Sequence, residues 1–356
     1  MTNIPTNEVD IDLAQSQKAT VATLLCNGES QLTIDMQRPG KHHGFLTLPD
    51  MDPQAAPRRF SMPVCVINGD QDGPTITFIA GIHGDEPEGS ITAHRLAREI
   101  DTSMIRGSLI VLPAVNTHAI PLANRHIQPD NQNLDYVFPG NPAGSMSERL
   151  AYEITRRFIQ PSELVVDLRS GGRQLRFIDS AAVRFDDRKE YRQRCEDTMI
   201  AYGAPNSLRL PASAPESCLQ STVRALETDY IQTLTSGAIN YSAQTLSQAY
   251  IGCLNILRQR QMLSDELELA ATRLLEVRDT SYYIHAESSG LFAPLTHPGE
   301  SVWKDRAMAR LYPHDDTSQA VFNVMAHRDA ILIATHAGGH VKRGDLLAIL
   351  GEEVQA

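Results

Sequence analysis

The 356-residue sequence predicts an α/β fold, a mixed sheet flanked by helices, followed by a smaller β-rich C-terminal domain. Short β-rich segments alternate with segments of helical period between residues 62 and 261, which favours a sheet with helices on both faces. After Leu275 the pattern changes to short strand-like segments and turns. We therefore expect an N-terminal extension with an edge strand (residues 1–60), an α/β domain (61–275) and a β-rich domain (276–356).

The predicted elements follow one another in the order that this fold requires. An edge strand is predicted at Gln31–Met36. The strands predicted in the α/β domain are Met62–Asn68, Thr75–Ala80, Ser108–Pro113 and Glu163–Leu168. The predicted helices are Glu88–Ile100, Ser147–Ile159, Arg188–Ala201 and a closing helix at Ser242–Gln261. Binding sites in such folds usually lie at the C-terminal ends of the strands.

The C-terminal region contains an internal repeat. The pattern Gly299-x-x-Val302-x-x-Asp305-x-x-x-Ala309-x-Leu311 recurs 39 residues later as Gly338-x-x-Val341-x-x-Gly344-x-x-x-Ala348-x-Leu350. Two such halves resemble the flattened β-sandwich of biotinyl and lipoyl carrier domains. A carrier presents a lysine between its halves, and residues 312–328 contain none. The sandwich is therefore predicted to be structural, as an oligomer contact or a lid, rather than a cofactor arm.

The charge of the chain excludes two classes of partner. Acidic residues outnumber basic ones by 43 to 32, and no dense Lys/Arg cluster occurs, so neither nucleic acid nor an anionic membrane is an expected partner.

The N-terminus lacks a secretory pattern, and no run of about 18 apolar residues occurs. We expect a cytoplasmic protein with a small-molecule ligand, and the composition permits homo-oligomers. The five scattered cysteines are typical of reduced, buried thiols.

The clearest chemical signal is the segment Ile82-His83-Gly84-Asp85-Glu86-Pro87-Glu88-Gly89. It follows a predicted strand, and its proline suits the first position of a helix. His-x-x-Glu directs an imidazole and a carboxylate from one turn toward one point, so the pair can hold zinc. A catalytic zinc site needs at least a third protein ligand, with one position left for water.

Together the motifs resemble the succinylglutamate desuccinylase/aspartoacylase family of zinc carboxypeptidase-like hydrolases and, within it, the N-acetyl-diaminobutyrate deacetylases of ectoine degradation. The resemblance extends from Lys41-His42-His43-Gly44-Phe45-Leu46 to the C-terminal domain. It implies a carboxypeptidase-like core with a C-terminal barrel-sandwich-like domain. It also implies one zinc ion and hydrolysis of the amide of a small N-acyl amino acid or acylated amine.

The resemblance assigns roles to four residues that match the family motifs. His83 and Glu86 match the first two zinc ligands. Arg125, in Ala-Asn-Arg-His, matches the residue that polarises the scissile carbonyl. Glu227 matches the carboxylate that takes a proton from the zinc-bound water and passes it to the leaving amine, although the glycines that normally follow it are absent.

Two departures from the family pattern affect the same site. The family has Asn-Arg where this chain has Asp135-Tyr136, so the arginine that grips the substrate carboxylate is missing. The candidate substrate-binding residues are Asp135, Tyr136 and Arg169. Arg169 stands where the family has its third zinc ligand, a histidine. A guanidinium remains protonated and offers no lone pair to a metal.

Arg169 also brings a positive charge to the position of the ion. Two unit charges about 4 Å apart repel by about 4 kcal/mol at an effective dielectric of about 20, and a dication doubles this. We therefore hypothesise that Arg169 replaces zinc electrostatically and pairs with Glu86, with Glu227 and Asp135 as further candidate partners. His118, His126 and Asp135 are the alternative donors near the motifs, and each is typical of a polar loop residue.

Three functions remain open on the sequence alone. The first is a hydrolase with a rearranged metal site, in which Arg125 stabilises the oxyanion and Glu227 carries the proton. The second is a catalytically degenerate family member that binds a small molecule or regulates. The third is a scaffold that assembles through its sandwich domain, and only the internal repeat supports this function.

Overall fold

The computed structural model describes residues 30–49, 59–127, 130–238, 240–267 and 269–355. Most of the predicted N-terminal extension, including Cys26, lies outside the described residues. None of the described helices is long and apolar enough to cross a bilayer.

The described residues form nineteen β-strands and five α-helices. The strands are β1 (Gln31–Leu32), β2 (Gly40–Pro49), β3 (Arg59–Asn68), β4 (Thr75–Ala80), β5 (Ser108–Leu112), β6 (Leu164–Ser170), β7 (Leu175–Phe177), β8 (Ser180–Arg184), β9 (Asn206–Leu210), β10 (Asp229–Thr235), β11 (Arg273–Glu276), β12 (Tyr283–His285), β13 (Gly290–Pro294), β14 (Ser301–Val302), β15 (Ala307–Tyr312), β16 (Phe322–Met325), β17 (Ala330–His336), β18 (Gly339–Val341) and β19 (Leu346–Glu353). The helices are α1 (Pro87–Glu99), α2 (Met146–Ile154), α3 (Lys189–Tyr202), α4 (Cys218–Ala225) and α5 (Ala243–Gln259).

The predicted elements of the α/β domain are confirmed, with small shifts at their ends. Strand β4 has its predicted bounds, and α5 begins after Ser242, whose side chain accepts a hydrogen bond from the Thr245 N–H at the helix start. The single helix predicted at Ser147–Ile159 is α2 followed by a π-helical turn. The edge strand is present but shorter than predicted, because only Gln31–Leu32 pairs with β2.

The central strands of the large sheet run parallel in the order β5-β4-β6-β10, with antiparallel strands β3 and β8 beyond them. All seven residues of β6 are buried. Its side chains alternate between two hydrophobic cores: Leu164 and Val166 face one and Val165 the other. Since the strands are parallel, their carboxyl ends lie at one edge of the sheet, as the sequence predicted for the site.

The C-terminal region is a β-rich module whose main-chain hydrogen bonds continue those of the large sheet. Strand β19 pairs with β11, and β7 pairs with β17. A separate four-stranded antiparallel sheet has the order β16-β15-β13-β18. Buried side chains from both sheets form a third hydrophobic core between them, as expected for a sandwich. The boundary predicted at residue 275 falls inside β11.

The internal repeat corresponds to a repeated backbone conformation. Gly299 and Gly338 both have positive φ, +96° and +114°. Six residues further on, Asp305 and Gly344 also have positive φ, +60° and +93°. Each half therefore makes the same turn between a short and a longer strand. The apolar positions of the pattern are buried in both halves: Val302 and Val341, Ala309 and Ala348, Leu311 and Leu350.

A close contact between α1 and β6 fixes the turn that carries the His-x-x-Glu motif. A Cβ at Gly89 would lie 2.2 Å from the Leu168 carbonyl oxygen, so only glycine permits this approach. Pro87 begins the helix, where its missing N–H costs no hydrogen bond. The first turn of α1 is therefore held against the end of β6.

Replacing Gly89 with alanine should destabilise the fold by about 1–3 kcal/mol, because the added methyl meets backbone that cannot move aside. Urea unfolding at pH 7 measures the change. Ile91→Ala, on the exposed side of the same helix, is the control and should alter stability by about 0.5 kcal/mol or less. Equal losses for the two variants would show that the contact between α1 and β6 is not tight.

Candidate active site

The candidate site lies at the carboxyl ends of β4 and β6. Ala80 of β4 is in register with Leu168 of β6, so the residues that follow each strand meet. His83 and Glu86 lie on the turn after β4, and Arg169 is the penultimate residue of β6. The structure thus brings together the three side chains that the sequence assigned to the metal position.

His83 and Glu86 form a buried pair that Arg125 contacts from one side. His83 Nδ1 lies 2.6 Å from Glu86 Oε1, and the two residues are 1% and 2% exposed. Arg125 Nη2 lies 2.8 Å from His83 Nδ1, and Nη1 donates to Glu86 Oε1 at 3.1 Å. A Cβ at Gly172 would lie 2.9 Å from Arg125 Nη1, so this glycine leaves room for the guanidinium.

Both ring nitrogens of His83 have hydrogen-bonding partners. Asn133 Oδ1 accepts the Asp135 N–H at 3.1 Å and lies 2.9 Å from His83 Nε2. His83 Nε2 therefore donates to this oxygen. The other ring nitrogen, Nδ1, lies 2.6 Å from Glu86 Oε1, which is the distance of a short hydrogen bond, and 2.8 Å from Arg125 Nη2. The carboxylate and the guanidinium thus both contact this nitrogen.

The second oxygen of Glu86 has its own partners. Oε2 accepts the Ser170 N–H at 3.1 Å and lies 3.4 Å from Arg169 Nε. Burial alone would raise the pKa of this carboxyl, but Arg169, then His83 and Arg125, lower the pKa of Glu86 to about 2. Glu86 is therefore ionised at neutral pH and bound on both sides.

Arg169 is 7% exposed and contacts three carboxylates. Besides Glu86, its Nη2 donates to Asp135 Oδ2 at 2.9 Å, and its Nη1 lies 3.8 Å from Asp167 Oδ2. Burial disfavours its charge, but these carboxylates hold the pKa of Arg169 well above its usual value. The expected pairing with Glu86 and Asp135 is therefore present. The candidate role of Arg169 in contacting substrate is less well supported, since its donors face protein carboxylates.

Asp167 completes this group of charges. Its Oδ2 accepts the Tyr230 hydroxyl at 2.7 Å. Burial raises the pKa of Asp167 to about 6, against the opposing effect of Arg169. Asp167 therefore accepts a proton more readily than an ordinary aspartate does.

A short 3₁₀ helix, Leu134–Tyr136, brings the two candidate substrate-binding residues to the site. Asp135 is buried and paired with Arg169, whereas Tyr136 is 62% exposed. Asp135 therefore belongs to the charged group beneath the site and Tyr136 to its exposed rim. His118, an alternative metal donor in the sequence, instead packs against the ring of Phe60.

The position of Glu227 requires a correction. Glu227 is exposed and precedes β10, whose first residue, Asp229, is in register with the first residue of β6. Arg169 lies near the other end of β6, and at about 3.3 Å per residue the strand separates the two by about 15–20 Å. The structure does not bring Glu227 to the site. The residue that β10 places at the site edge is Thr235, in register with Ser170.

Two residues at the site were missed by the sequence analysis. Asn133 contacts His83 Nε2 at 2.9 Å, and the pattern Asn-x-Asp, typical of a side chain that caps a turn, was the available signal. Glu88 is buried two residues after Glu86, and neither of its oxygens has a hydrogen bond of ordinary geometry to a described residue. Burial raises the pKa of Glu88, offset in part by the nearby hydroxyl of Ser170.

The donors present do not fit a zinc ion. Among the described residues, no group of three His, Cys, Asp or Glu side chains is arranged to hold a metal. His83 and Glu86 supply two donors, and both already bind guanidinium groups. The third position carries Arg169, which has no lone pair to donate.

Comparison with known proteins identifies a matching family profile and a relative of similar length. Residues 72–260 match the sequence profile of the succinylglutamate desuccinylase/aspartoacylase catalytic domain. The chain is 30% identical over 326 residues to the N-alpha-acetyl-L-2,4-diaminobutyric acid deacetylase of Halomonas elongata, which covers 91% of this chain and 95% of that protein.

Two solved structures share nearly the whole fold. A succinylglutamate desuccinylase from Silicibacter sp. TM1040 has a TM-score of 0.87 at 29% identity, over 93% of this chain and 100% of that one. The product-bound ectoine utilization protein EutE (DoeB) from Ruegeria pomeroyi has a TM-score of 0.86 at 31% identity, over 92% of this chain and 99% of that one. These likenesses confirm the predicted fold and the predicted resemblance.

Replacing Arg169 with methionine should destabilise the protein by about 3–5 kcal/mol, because Asp135 and Asp167 would be left buried without their cation and Glu86 would keep only Arg125. Urea unfolding at pH 7 measures the loss. The control is Arg95→Met, which breaks an exposed ion pair with Glu99 and should cost less than about 1 kcal/mol. A loss at Arg169 no larger than the loss at Arg95 would show that the three contacts do not stabilise the fold.

Proposed function

This chain belongs to the succinylglutamate desuccinylase/aspartoacylase family, and on that premise we propose that it hydrolyses the amide bond of a small N-acyl amino acid or acylated amine. The relatives named above act on substrates of this class, as their names state for N-acetyl-diaminobutyrate and succinylglutamate. Similarity over nearly the full length of both chains supports the same reaction here.

One structural observation carries the proposal: the guanidinium of Arg125 lies at the strand ends with its side chain 28% exposed. The neighbouring cation, Arg169, is buried among carboxylates. Arg125 is therefore the cation of the pair that a ligand can reach. A fixed cation there would bind the oxygen of an amide carbonyl and stabilise the negative charge that develops on it during hydrolysis.

His83 and Glu86 would hold Arg125 in place for this role. Both are buried, and each lies against one of the two Nη groups of Arg125, so the orientation of the guanidinium is fixed before a substrate arrives. Asp85 Oδ2 lies 3.6 Å from Arg125 Nη1 and accepts the Arg173 N–H, which ties the loop after β6 to the same group.

The family is generally zinc-dependent, and we propose that this chain departs from it in that respect. The departure is supported by the donor set, which offers two ligands and two guanidinium groups where the family has three ligands. The proposed roles of Arg125, His83 and Glu86 are therefore stated without a metal ion.

The residues at the two ends of β10 favour a second function, ligand binding without hydrolysis. Glu227 lies at the opposite end of β10, and the site end of that strand has Thr235 in place of a carboxylate. A pocket that keeps Arg125 but has no carboxylate at this strand end can bind an N-acyl ligand without cleaving it. Binding without turnover is therefore the alternative to hydrolysis.

Turnover and binding of a small panel distinguish these functions. We expect the full-length protein to release free amine from at least one of N-acetyl-diaminobutyrate, N-acetylaspartate and N-succinylglutamate, measured by mass spectrometry. Arg125→Ala should lower kcat by about 10²–10³, because the donor to the oxyanion is lost. The control, Arg306→Ala, removes an exposed arginine of the C-terminal domain and should leave kcat unchanged. Calorimetric binding of a panel member with no product after prolonged incubation would instead establish the second function.

Substitution at the rim should alter the recognition of acidic substrates. Tyr136 stands where the family carries its carboxylate-binding arginine, and its exposure leaves space for a longer side chain. Tyr136→Arg should lower KM or Kd for N-acyl amino acids by about tenfold, since a charge-assisted hydrogen bond contributes about 1.5–3 kcal/mol. Tyr136→Gln is the uncharged control. If both variants behave alike, position 136 does not contact the acid group of the ligand.

A further inference from the structure

We propose that the guanidinium group of Arg169 takes the place of the family's zinc ion in this chain. This inference does not rest on turnover, because it concerns what occupies the His83–Glu86 pair in the resting protein.

The first step concerns the His83–Glu86 pair. His83 Nδ1 and Glu86 Oε1 are hydrogen-bonded to each other at 2.6 Å, so these two atoms face one another. Arg125 lies against both, with one Nη 2.8 Å from His83 Nδ1 and the other 3.1 Å from Glu86 Oε1. Its fork-shaped group suits such a bridge.

The second step concerns the position of the missing ligand. Arg169 reaches the other oxygen of Glu86 at 3.4 Å and extends to Asp135 at 2.9 Å and Asp167 at 3.8 Å. It is therefore a cation of the site rather than a surface arginine at a strand end. Glu86 lies between the two guanidinium groups, one on each oxygen.

Arg169 places a fixed positive charge beside Glu86, at the position where the family pattern has a ligand for the ion. Arg125, which the family pattern has in addition to zinc, is a second cation at the same pair. A zinc ion approaching His83 and Glu86 would have to displace Arg125 and approach Arg169. Like charges at such short range repel strongly in a site this buried. The position is therefore closed to zinc by the protein's own cations.

The inference also defines the smallest change that would reopen the site. Arg169→His removes one guanidinium and supplies the third nitrogen or oxygen donor that a zinc site needs. Since β4 and β6 hold positions 83, 86 and 169 in one place, the rebuilt donors would start close together. The variant is expected to bind zinc.

The test is the metal content of purified proteins by plasma mass spectrometry, after dialysis against zinc and then against metal-free buffer. The parent should retain no stoichiometric zinc, and its Tm should not respond to zinc or to EDTA. Arg169→His should retain about one zinc per chain and lose Tm on EDTA treatment. Adding His83→Ala to this variant should abolish the retention.

Two controls separate the loss of a cation from the gain of a ligand. Arg169→Lys keeps the charge and should remain free of zinc, and Arg306→His adds a histidine on the exposed surface and should also remain free of it. One zinc per parent chain, lost in the single variant His83→Ala, would overturn the proposal. So would a folded Arg169→His protein that takes up no zinc. If that variant fails to fold, the zinc content and Tm response of the parent decide the question alone. Hydrolysis by a zinc-free parent, or its absence, bears only on the proposed function.

Discussion

The ion pairs of Arg169 are the interactions on which the candidate site depends. A buried guanidinium is tolerated only when carboxylates surround it, and here Glu86, Asp135 and Asp167 come from three different segments of the chain. The turn after β4, the 3₁₀ helix Leu134–Tyr136 and β6 itself are therefore joined through one side chain. Their carboxylates would otherwise repel one another in a region of low dielectric.

This dependence connects the two departures from the family pattern. In the sequence, Arg169 and Asp135 look like separate losses, one of a metal ligand and one of an asparagine in the substrate clamp. In the structure they form a single contact at 2.9 Å. A positive charge at 169 needs a new negative charge nearby, and Asp135 supplies it. Position 136 at the rim thus carries no charge, while the cation at position 169 lies beneath it and is paired with Asp135.

The features that were predicted correctly are the helices and strands whose bounds depend on the local sequence pattern. The bounds of β4, the helix after Pro87 and α5 follow from strand composition, proline position and helical period, which are properties of short segments. The meeting of His83, Glu86 and Arg169 was predictable because parallel strands end at the same edge. The location of Glu227 was not predictable in this way. Glu227 and Thr235 are eight residues apart, so they lie at opposite ends of β10 and at opposite edges of the sheet, and the local sequence pattern does not show which of the two edges holds the site. The pairing of β19 with β11 also escaped prediction, because it joins residues some 75 positions apart.

The charge of the site and its chemistry are separable. Four carboxylates, those of Asp85, Glu86, Asp135 and Asp167, gather at the strand ends around the guanidinium groups of Arg125 and Arg169. A metal ion and a guanidinium both offset negative charge, but a metal ion also binds water and lowers its pKa, whereas a guanidinium only donates hydrogen bonds. A sequence that places a guanidinium at a ligand position can therefore keep the fold and the pocket of a metal-dependent relative without the effect of the metal on water. Family membership then predicts the class of ligand more securely than the way in which the ligand is handled.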